Sequence, residues 1–429
     1  MGLYKMMDDS LQLQERGLLL IASLIVITGV LAVSLATNSL DSKILALLGC
    51  LIACWLSIHL ILRHSSHRNG DPFFLPLAVM LIGIGLTMVL RLKPALFLYQ
   101  SIWVIAGLFC FLFSVFFFRH LEQLSQYKYL CGMIGIVLLL IAIIFGVDIG
   151  GHRSWVILGP VRFQPSEFAK IFIILFLAAY LTERHELLTS ATKHYGPLVL
   201  PHPRFIAPLL AIWGLAMVMF VVQRDLGSAL LYFGITIIMV YIASGRLTYV
   251  LLGIILFFIG SFACYKLYAH VQVRVDIWLN PWADPNGKAY QIVQSLFALG
   301  SGGILGSGLT YGFPQMIPEV HTDFIFAAIG EELGFAGSSA VLISYILIIY
   351  RAFKAALETI NPFSILVAAG LAVSFALQIF LIIGGVTKFF PLTGITLPFV
   401  SYGGSSMVAN FILLGMLFAI SEERPKHAP

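Results

Sequence analysis

The sequence predicts an all-α fold, a polytopic bundle of transmembrane helices. Of its 429 residues, 60% are hydrophobic and only 10% are charged, whereas soluble domains contain about 25% charged residues. Uncharged apolar runs long enough to cross a bilayer recur from residue 18 to residue 421. These runs are continuous rather than alternating, which argues against a porin-type barrel and a soluble enzyme.

A transmembrane helix needs about 20 predominantly apolar residues. By this measure the chain has twelve predicted spans, at residues 18–36, 43–62, 73–90, 99–118, 128–147, 166–182, 205–222, 227–244, 248–267, 323–350, 363–386 and 402–421. An even number of spans places both termini on the same side of the membrane. We expect the first run to be a retained span rather than a signal peptide, because it contains only a weak cleavage site.

Three connections on one side of the membrane break the pattern of short connections between spans. The basic residues of the other side, chiefly those of segment 183–204, weakly favour a cytoplasmic location of both termini. Long connections in a compact protein are usually functional. The connection at residues 268–322 is too apolar for a solvated linker. We expect it to lie at the membrane surface or to fold back into the bundle. The three outward loops are residues 148–165, 268–322 and 387–401.

Charged residues at span ends carry most of the functional information, because a charge at a helix centre costs about 2.5–3.5 kcal/mol on insertion scales. The sequence FQPSEFAK at 163–170 begins a span and places Glu167 and Lys170 on one helix face. These two residues form either a local ion pair or part of a polar cavity open to the outside. Asp225 lies in a tight outward hairpin, where it either caps the next helix or belongs to the same cavity.

The large loop begins with the turn-forming sequence NPWADPNG at 280–287, in which Asp284 is typical of a turn. The glycines at 300–308 match no nucleotide-binding pattern. They favour a helix that stops and re-enters, where backbone approaches a ligand closely. Glu331 and Glu332 lie about two turns into the next span. They either serve a proton relay or are held by helix N-termini and glycine-rich backbone.

The last outward segment ends in SYGGSS at 401–406. Small residues at a helix start, including Ser405 and Ser406, indicate either close helix packing or an anion-binding N-terminus.

Several classes of site have no support in the sequence. His321 and Asp323 lack further ligands, so no metal site is predicted. All five cysteines lie inside apolar segments, which implies no disulfide framework. The net charge of +5 is spread over loops. Without a basic cluster this charge argues against nucleic acid as a partner and suits anionic membrane lipids or an anionic substrate.

The motifs occur along the chain in a characteristic order, from about Gly151 to about Leu417. Together they resemble the SEDS family of shape, elongation, division and sporulation proteins, of the RodA and FtsW type. Because that family is mostly ten-spanning, the chain resembles a twelve-span variant. Residues 1–147 would hold five spans, two of them additional, and residues 148–429 the catalytic core. The motifs are FQPSE at 163–167, DLG at 225–227, DP at 284–285, GSGG at 300–303, HTDFIF at 321–326, GEELG at 330–334 and SYGGSS at 401–406.

The resemblance implies a peptidoglycan glycosyltransferase that polymerises lipid II into glycan strands on the outer face of the bacterial cytoplasmic membrane, for cell elongation or division. A class B penicillin-binding protein is the usual partner and supplies transpeptidation. Matched position by position, the family's essential loop aspartate falls on Asp284. The Glu and Lys at the start of a span fall on Glu167 and Lys170, and the hairpin aspartate falls on Asp225.

The chemistry of lipid II fits these positions. Its anomeric carbon bears a pyrophosphate, which leaves without a protonating acid, so a single base at Asp284 suffices to activate the acceptor hydroxyl. One displacement converts an α-linked donor into a β-linked glycan. A divalent cation such as Mg²⁺ is left open as an aid, since no ligand cluster requires it. The outward cations expected to stabilise the departing pyrophosphate are Arg153, Arg162, Lys170, Arg274 and Lys388.

Two alternatives from other functional classes remain at this point. The Glu331 and Glu332 pair and the interrupted helices would also suit a lipid II flippase or another transporter. A non-catalytic scaffold of a cell-wall synthase complex would use the spans alone as docking surfaces. Glycan synthesis from lipid II separates the polymerase from both.

Overall fold

The computed structural model describes residues 2–38, 40–64, 70–149, 152–159, 161–186, 192–195, 198–201 and 203–423. Long apolar helices make up most of these residues. In chain order they are α1 Gly2–Ala36, α2 Ser42–His64, α3 Phe74–Leu92, α4 Phe97–Phe117, α5 Lys128–Phe145, α6 Pro165–Glu183, α7 Pro203–Gln223, α8 Leu226–Ser244, α9 Leu247–Leu267, α10 Ala269–Leu279, α11 Tyr290–Ser301, α12 Ile325–Glu358, α13 Pro362–Val386 and α14 Gly404–Ser421.

Each predicted span falls on one of these helices. Ten segments of the described chain are long and apolar enough to cross a membrane. One of them, Pro94–Phe145, contains both α4 and α5 joined by a 3₁₀ segment, and Ala207–Gln223 within α7 is a shorter apolar helix. The predicted all-α, multi-pass membrane fold is therefore confirmed.

The centre of the bundle is formed by α3, α6, α13 and α14, which are buried over most of their length. Around them α1 packs on α3, α5 packs on α6, and α4 packs on α14. By contrast, α9 is mostly exposed and packs on α8. The site described below lies at the end of the bundle that holds residues 148–165, 268–322 and 387–401.

Short strands occupy two connections for which no strands were predicted. In the first outward loop, β1 Val147–Ile149, β2 His152–Leu158 and β3 Val161–Phe163 form an antiparallel sheet. A second antiparallel pair, β4 Thr192–Tyr195 and β5 Leu198–Pro201, lies between α6 and α7. Strands this short give a weak sequence signal beside long apolar helices.

The helix α12 is kinked at Gly334, near its start. Its 34 residues correspond to about 50 Å, more than the hydrocarbon core of about 30 Å. Gly334 breaks the helical path with φ 66° and ψ −164°. This conformation is accessible chiefly to glycine. The residues before Gly334 therefore form a separate short helix.

Glu331 and Glu332 belong to this short helix and are held by the glycine-rich loop. The amide of Phe313 donates to Glu331 at 2.6 Å and that of Thr310 donates to Glu332 at 3.2 Å. Arg91, at the end of α3, donates to Glu332 at 3.0 Å. Of the two interpretations of this pair, the structure favours fixation by glycine-rich backbone.

A buried ion cluster fastens α1 and α2 to the rest of the protein. Arg63 donates to Glu15 at 2.5 Å, and both side chains are almost completely buried. The same guanidinium lies 3.4 Å from the carbonyl of Gly70 and 6.0 Å from the ring centre of Phe418 in α14. His59 contacts the other oxygen of Glu15 at 3.0 Å. The two N-terminal helices therefore share a charged anchor with the core.

We expect Glu15→Gln to lower the melting temperature of the purified protein, because removing one partner of a buried ion pair costs about 3–5 kcal/mol. The matched control is Lys354→Gln, which removes the half-exposed Lys354–Glu358 pair, worth about 0–1 kcal/mol. Thermal unfolding in detergent checks both variants. Equal melting temperatures for the two variants would contradict the anchoring role.

Candidate functional site

Asp284 closes an exposed turn in the large outward loop. It follows the 3₁₀ segment Pro281–Ala283, and its carbonyl accepts hydrogen bonds from the amides of Gly287 and Ala289 at 3.3 and 3.2 Å. Its carboxylate accepts from the amide of Lys288 at 3.0 Å and is exposed to solvent. The turn thus orients the carboxylate and leaves it open to a substrate.

Three cations surround a small cavity next to this turn. The cavity has a volume of about 130 Å³. Arg274, Lys288 and Lys388 bring positive charge to it from three different parts of the chain, and Trp278 donates to the carbonyl of Lys388 at 3.2 Å. The cavity is lined by Arg274, Ile277, Trp278, Lys288, Gln291, Ile292, Gly385, Lys388, Phe390 and Leu392.

Arg274 connects the cavity to the last outward segment. Its guanidinium donates to the carbonyls of Leu392 and Thr393 at 3.2 and 3.3 Å. Burial lowers the pKa of Arg274, while the charges of Asp225 and Asp323 oppose this shift. A methyl group added at Gly394 would lie 3.7 Å from both the Arg274 guanidinium and the Asp323 carboxylate. Arg274 and Asp323 therefore both lie close to Gly394, which has no side chain.

Asp323 is the carboxyl group that burial perturbs most in this region. Burial raises its pKa to about 6, and the Thr322 hydroxyl and the Arg274 charge act in the opposite direction. The neighbouring His321 is also buried, and burial together with the Lys93 charge lowers the pKa of His321. Both residues belong to the HTDFIF motif, but the motif alone assigned neither of them a role.

Asp225 caps α8 in the manner expected of a hairpin aspartate. Its carboxylate accepts from the amide of Ser228 at 3.0 Å and from the hydroxyl of Ser228 at 2.8 Å. The following Gly227 packs so closely on the carbonyl of Thr393 that an added methyl group would lie 2.4 Å from it. The cap thereby holds the hairpin against the segment that Arg274 also binds.

Glu167 and Lys170 form an ion pair that extends to two other elements. The ammonium of Lys170 lies 3.0 Å from Glu167 and donates to the side-chain oxygen of Gln378 at 2.8 Å. The amide nitrogen of Gln378 in turn donates to the carbonyl of Thr396 at 2.9 Å. Lys170 is 1% exposed, so this chain of contacts is internal and links α6, α13 and the last outward segment.

Ser405 and Ser406 are engaged by protein groups at the start of α14. The hydroxyl of Ser405 accepts from the amide of Gln164 at 3.0 Å, and that of Ser406 accepts from the Thr396 hydroxyl at 2.7 Å. Both serines are buried. Of the two interpretations of these small residues, the geometry favours close packing.

The predicted outward cations do not all meet at one place. Arg274 and Lys388 line the cavity, whereas Lys170 is buried in its ion pair. Arg153 donates to the carbonyl of Gly146 at 2.9 Å, and Arg162 is exposed near Tyr402. Neither Arg153 nor Arg162 lines the cavity.

Lys288 was not among the predicted cations. In the sequence it could have been noticed because it follows Asp284 by four residues. At this spacing its amide donates to the Asp284 carboxylate. Within the part of the chain that the structure describes, no group of three or more His, Cys, Asp or Glu side chains is arranged to hold a metal ion.

Known proteins resemble this chain over most of its length. Residues 73–426, which begin just before α3, match the cell cycle protein family of FtsW, RodA and SpoVE. Peptidoglycan glycosyltransferase RodA of Mycobacterium bovis is 41% identical over 378 residues, which cover 85% of this chain and 80% of that protein.

Two solved structures have the same fold. A chain from a peptidoglycan synthase complex that coordinates polymerization and crosslinking matches with a TM-score of 0.69 and 27% identity, covering 83% of this chain and 99% of that one. RodA of Thermus thermophilus, a rod shape determining protein, matches with a TM-score of 0.58 and 26% identity, covering 83% and 98%. The resemblance to the SEDS family is confirmed, and this chain belongs to the FtsW, RodA and SpoVE family of cell cycle proteins.

Proposed function

We propose that this chain, a peptidoglycan glycosyltransferase by family, polymerises lipid II into glycan strands on the outer face of the bacterial cytoplasmic membrane. The observation that carries the proposal is the exposed Asp284 carboxylate, fixed by the amide of Lys288 beside a cavity with three cations. A base next to a small cavity lined by cations suits transfer of a sugar from a lipid-linked pyrophosphate.

Asp284 acts as the general base. It accepts the proton of the acceptor sugar hydroxyl while that oxygen bonds to the anomeric carbon of the donor. The bond from the same carbon to the pyrophosphate breaks, and the electron pair leaves with the pyrophosphate. A single displacement of this kind inverts an α-linked donor into a β-linked glycan and needs no second carboxylate.

The cations of the cavity stabilise the leaving group. Arg274, Lys288 and Lys388 converge on one small volume, where fixed positive charge stabilises the negative charge that develops on the departing pyrophosphate. Arg274 presents a planar fork that matches phosphate oxygens, whereas the two lysines act as point charges. The attraction between the cations and the pyrophosphate therefore becomes stronger as the leaving group departs.

Mg²⁺ has no ready set of protein ligands at this site. The donor set near Asp284 is one carboxylate among three cations, and the described residues contain no cluster of three metal-binding side chains. We therefore derive no step from a bound divalent cation.

A class B penicillin-binding protein is the proposed partner. The chain with the TM-score of 0.69 comes from a peptidoglycan synthase complex. Large apolar side chains are exposed on the glycine-rich loop and just after the kink of α12, and exposed apolar side chains of this kind can mark an interaction site. The patch contains Ile304, Leu305, Tyr311, Phe313 and Phe335.

Glycan synthesis from lipid II by the purified protein tests the proposal. The protein is incubated with fluorescent lipid II in detergent and in vesicles, alone and with its partner transpeptidase, and the products are separated by size. Glycan strands support the proposal. Transbilayer movement of lipid II without strands would favour a flippase, and neither activity in the presence of the partner would favour a scaffold.

Orientation gives an independent prediction, because Asp284 must face the outside for this reaction. Cysteines replace the exposed Asn286, next to Asp284, or the exposed Gln126, between α4 and α5, in a protein lacking its five native thiols. With both termini in the cytoplasm, a membrane-impermeant maleimide should label Asn286→Cys but not Gln126→Cys in intact cells. The C-terminal residues 424–429 lie outside the described residues, so Gln126 serves as the inner position. The reverse labelling pattern would refute the mechanism.

A further inference from the structure

His152 bridges two outward elements that carry residues of the site. Its Nδ1 lies 2.6 Å from the carbonyl oxygen of Arg224, the residue before Asp225. Its Nε2 lies 2.8 Å from a terminal nitrogen of the Arg274 guanidinium. The ring therefore joins strand β2, the α7–α8 hairpin and helix α10.

The two partners of the ring determine its tautomer. A carbonyl oxygen only accepts, so Nδ1 must carry the proton and donate it to Arg224. A guanidinium only donates, so Nε2 must be unprotonated and accept from Arg274. Only the neutral imidazole with its proton on Nδ1 makes both hydrogen bonds. A protonated ring would point an N–H group at another cation.

Arg274 is the group that benefits from this arrangement. It lines the cationic cavity and donates to the carbonyls of Leu392 and Thr393. His152 supplies an acceptor on a further side of the same guanidinium. The arginine is thereby held between the segment that follows α13 and the first outward sheet, and its freedom to turn away from the cavity is small.

We infer that His152 is a positioning residue that orients Arg274 toward the cavity, and that it does so only as a neutral imidazole. This inference rests on the proposed function in one respect, that Arg274 binds the pyrophosphate of the donor. The consequence is a loss of activity in mild acid that depends on His152. Nothing in the sequence motifs indicated this residue.

Other charged groups around the ring could also respond to pH. Burial and the charges of Arg274, His152 and Arg224 lower the pKa of His270, which keeps His270 uncharged at neutral pH. Asp323 faces Arg274 and titrates near 6, so its effect must be separated from that of His152. The charged or titratable groups on the neighbouring elements are Asp148, Arg153 and Arg162 in the sheet, Arg224 and Asp225 in the hairpin, His270, Arg274 and Asp276 in α10, Asp323 before α12, and Lys388 after α13.

Two substitutions separate the bridge from these neighbours. His152→Gln keeps a donor and an acceptor but cannot be protonated, and His152→Phe keeps a ring without either function. His120→Phe, at an exposed histidine between α4 and α5, is the matched control. Asp323 and His270 are present in all of these proteins, so the ratio of each variant to the parent isolates His152.

The first measurement is the rate of lipid II polymerisation at about pH 7.5 and about pH 5.5. At the higher pH we expect His152→Phe to be about tenfold slower than the parent and His152→Gln to be close to it. At the lower pH the parent should lose about tenfold relative to His152→Gln. A parent-to-Gln ratio that does not change with pH would overturn the inference.

The second measurement needs no lipid II. Hydrogen exchange is measured for the peptide covering residues 388–396 and corrected for the intrinsic effect of pH. The reference is the exchange rate of the parent protein at the higher pH. Exchange should be faster than this reference in His152→Phe at both pH values, and in the parent only at the lower pH. Unchanged exchange in a folded His152→Phe protein would overturn the bridge. If the parent makes no glycan but exchange is still faster in His152→Phe, the result supports the bridge and counts against the proposed function. The inference about His152 and the proposed function can therefore fail separately.

Discussion

Asp284→Asn is expected to lower the rate of glycan polymerisation by about 10²–10⁴-fold, the usual contribution of a general base. The amide keeps an oxygen that can accept from the amide of Lys288, as the carboxylate does at 3.0 Å. The turn and the cationic cavity should therefore remain intact. What the amide cannot do is accept the proton of the acceptor hydroxyl. Product analysis with fluorescent lipid II measures the effect.

The control for this substitution is Asp276→Asn, in the same outward loop. Asp276 is exposed on α10 and does not line the cavity. We expect this variant to polymerise at the parental rate. Both proteins should also have the parental melting temperature. An Asp284→Asn protein that is folded and nearly fully active would show that another group takes the proton.

The sequence and the structure agree on the helices for a simple physical reason. In a bilayer each backbone polar group must be satisfied within the segment, so a long apolar run has no alternative to a helix. The span predicted at 363–386 and the helix Pro362–Val386 differ by one residue at the start, because Asn361 caps α13 and Pro362 opens it. Such end signals are local and can be found in a sequence.

The two interpretations of Asp284 and Asp225 turned out not to exclude each other. Each aspartate makes the local hydrogen bonds of a turn or a cap, and each also lies beside groups of the site. Local propensity cannot distinguish an aspartate that only closes a turn from one that the turn presents to a substrate. The difference depends on which other residues the fold places next to the aspartate.

Lys288 and His152 show what the sequence could not provide. The cationic cavity needs Lys288, Arg274 and Lys388 to converge from separate segments, and His152 reaches Arg274 across 122 positions. No periodicity or spacing encodes such contacts. The same limit explains why Arg153 and Arg162 were grouped with Arg274 on charge and sidedness alone, although the structure places them elsewhere.

Lys170→Met is expected to reduce both activity and stability, because the ammonium is buried and holds two partners. Its loss leaves Glu167, whose side chain is 11% exposed, with an uncompensated charge, at a cost of about 3–5 kcal/mol for a fully buried pair. It also removes the donor to Gln378, which holds the carbonyl of Thr396. The segment that carries Lys388 would then shift.

A second substitution separates these two effects. The double variant Lys170→Met/Glu167→Gln contains no unpaired charge, so its melting temperature should return toward that of the parent. Its polymerisation rate should stay about 10²-fold low, since a shift of about 1 Å in a positioning segment can cost that much. The matched control is Lys354→Met, which removes a half-exposed lysine and should change neither quantity. If the double variant recovers both stability and rate, Lys170 serves only to neutralise Glu167. If it recovers stability alone, Lys170 positions the last outward segment.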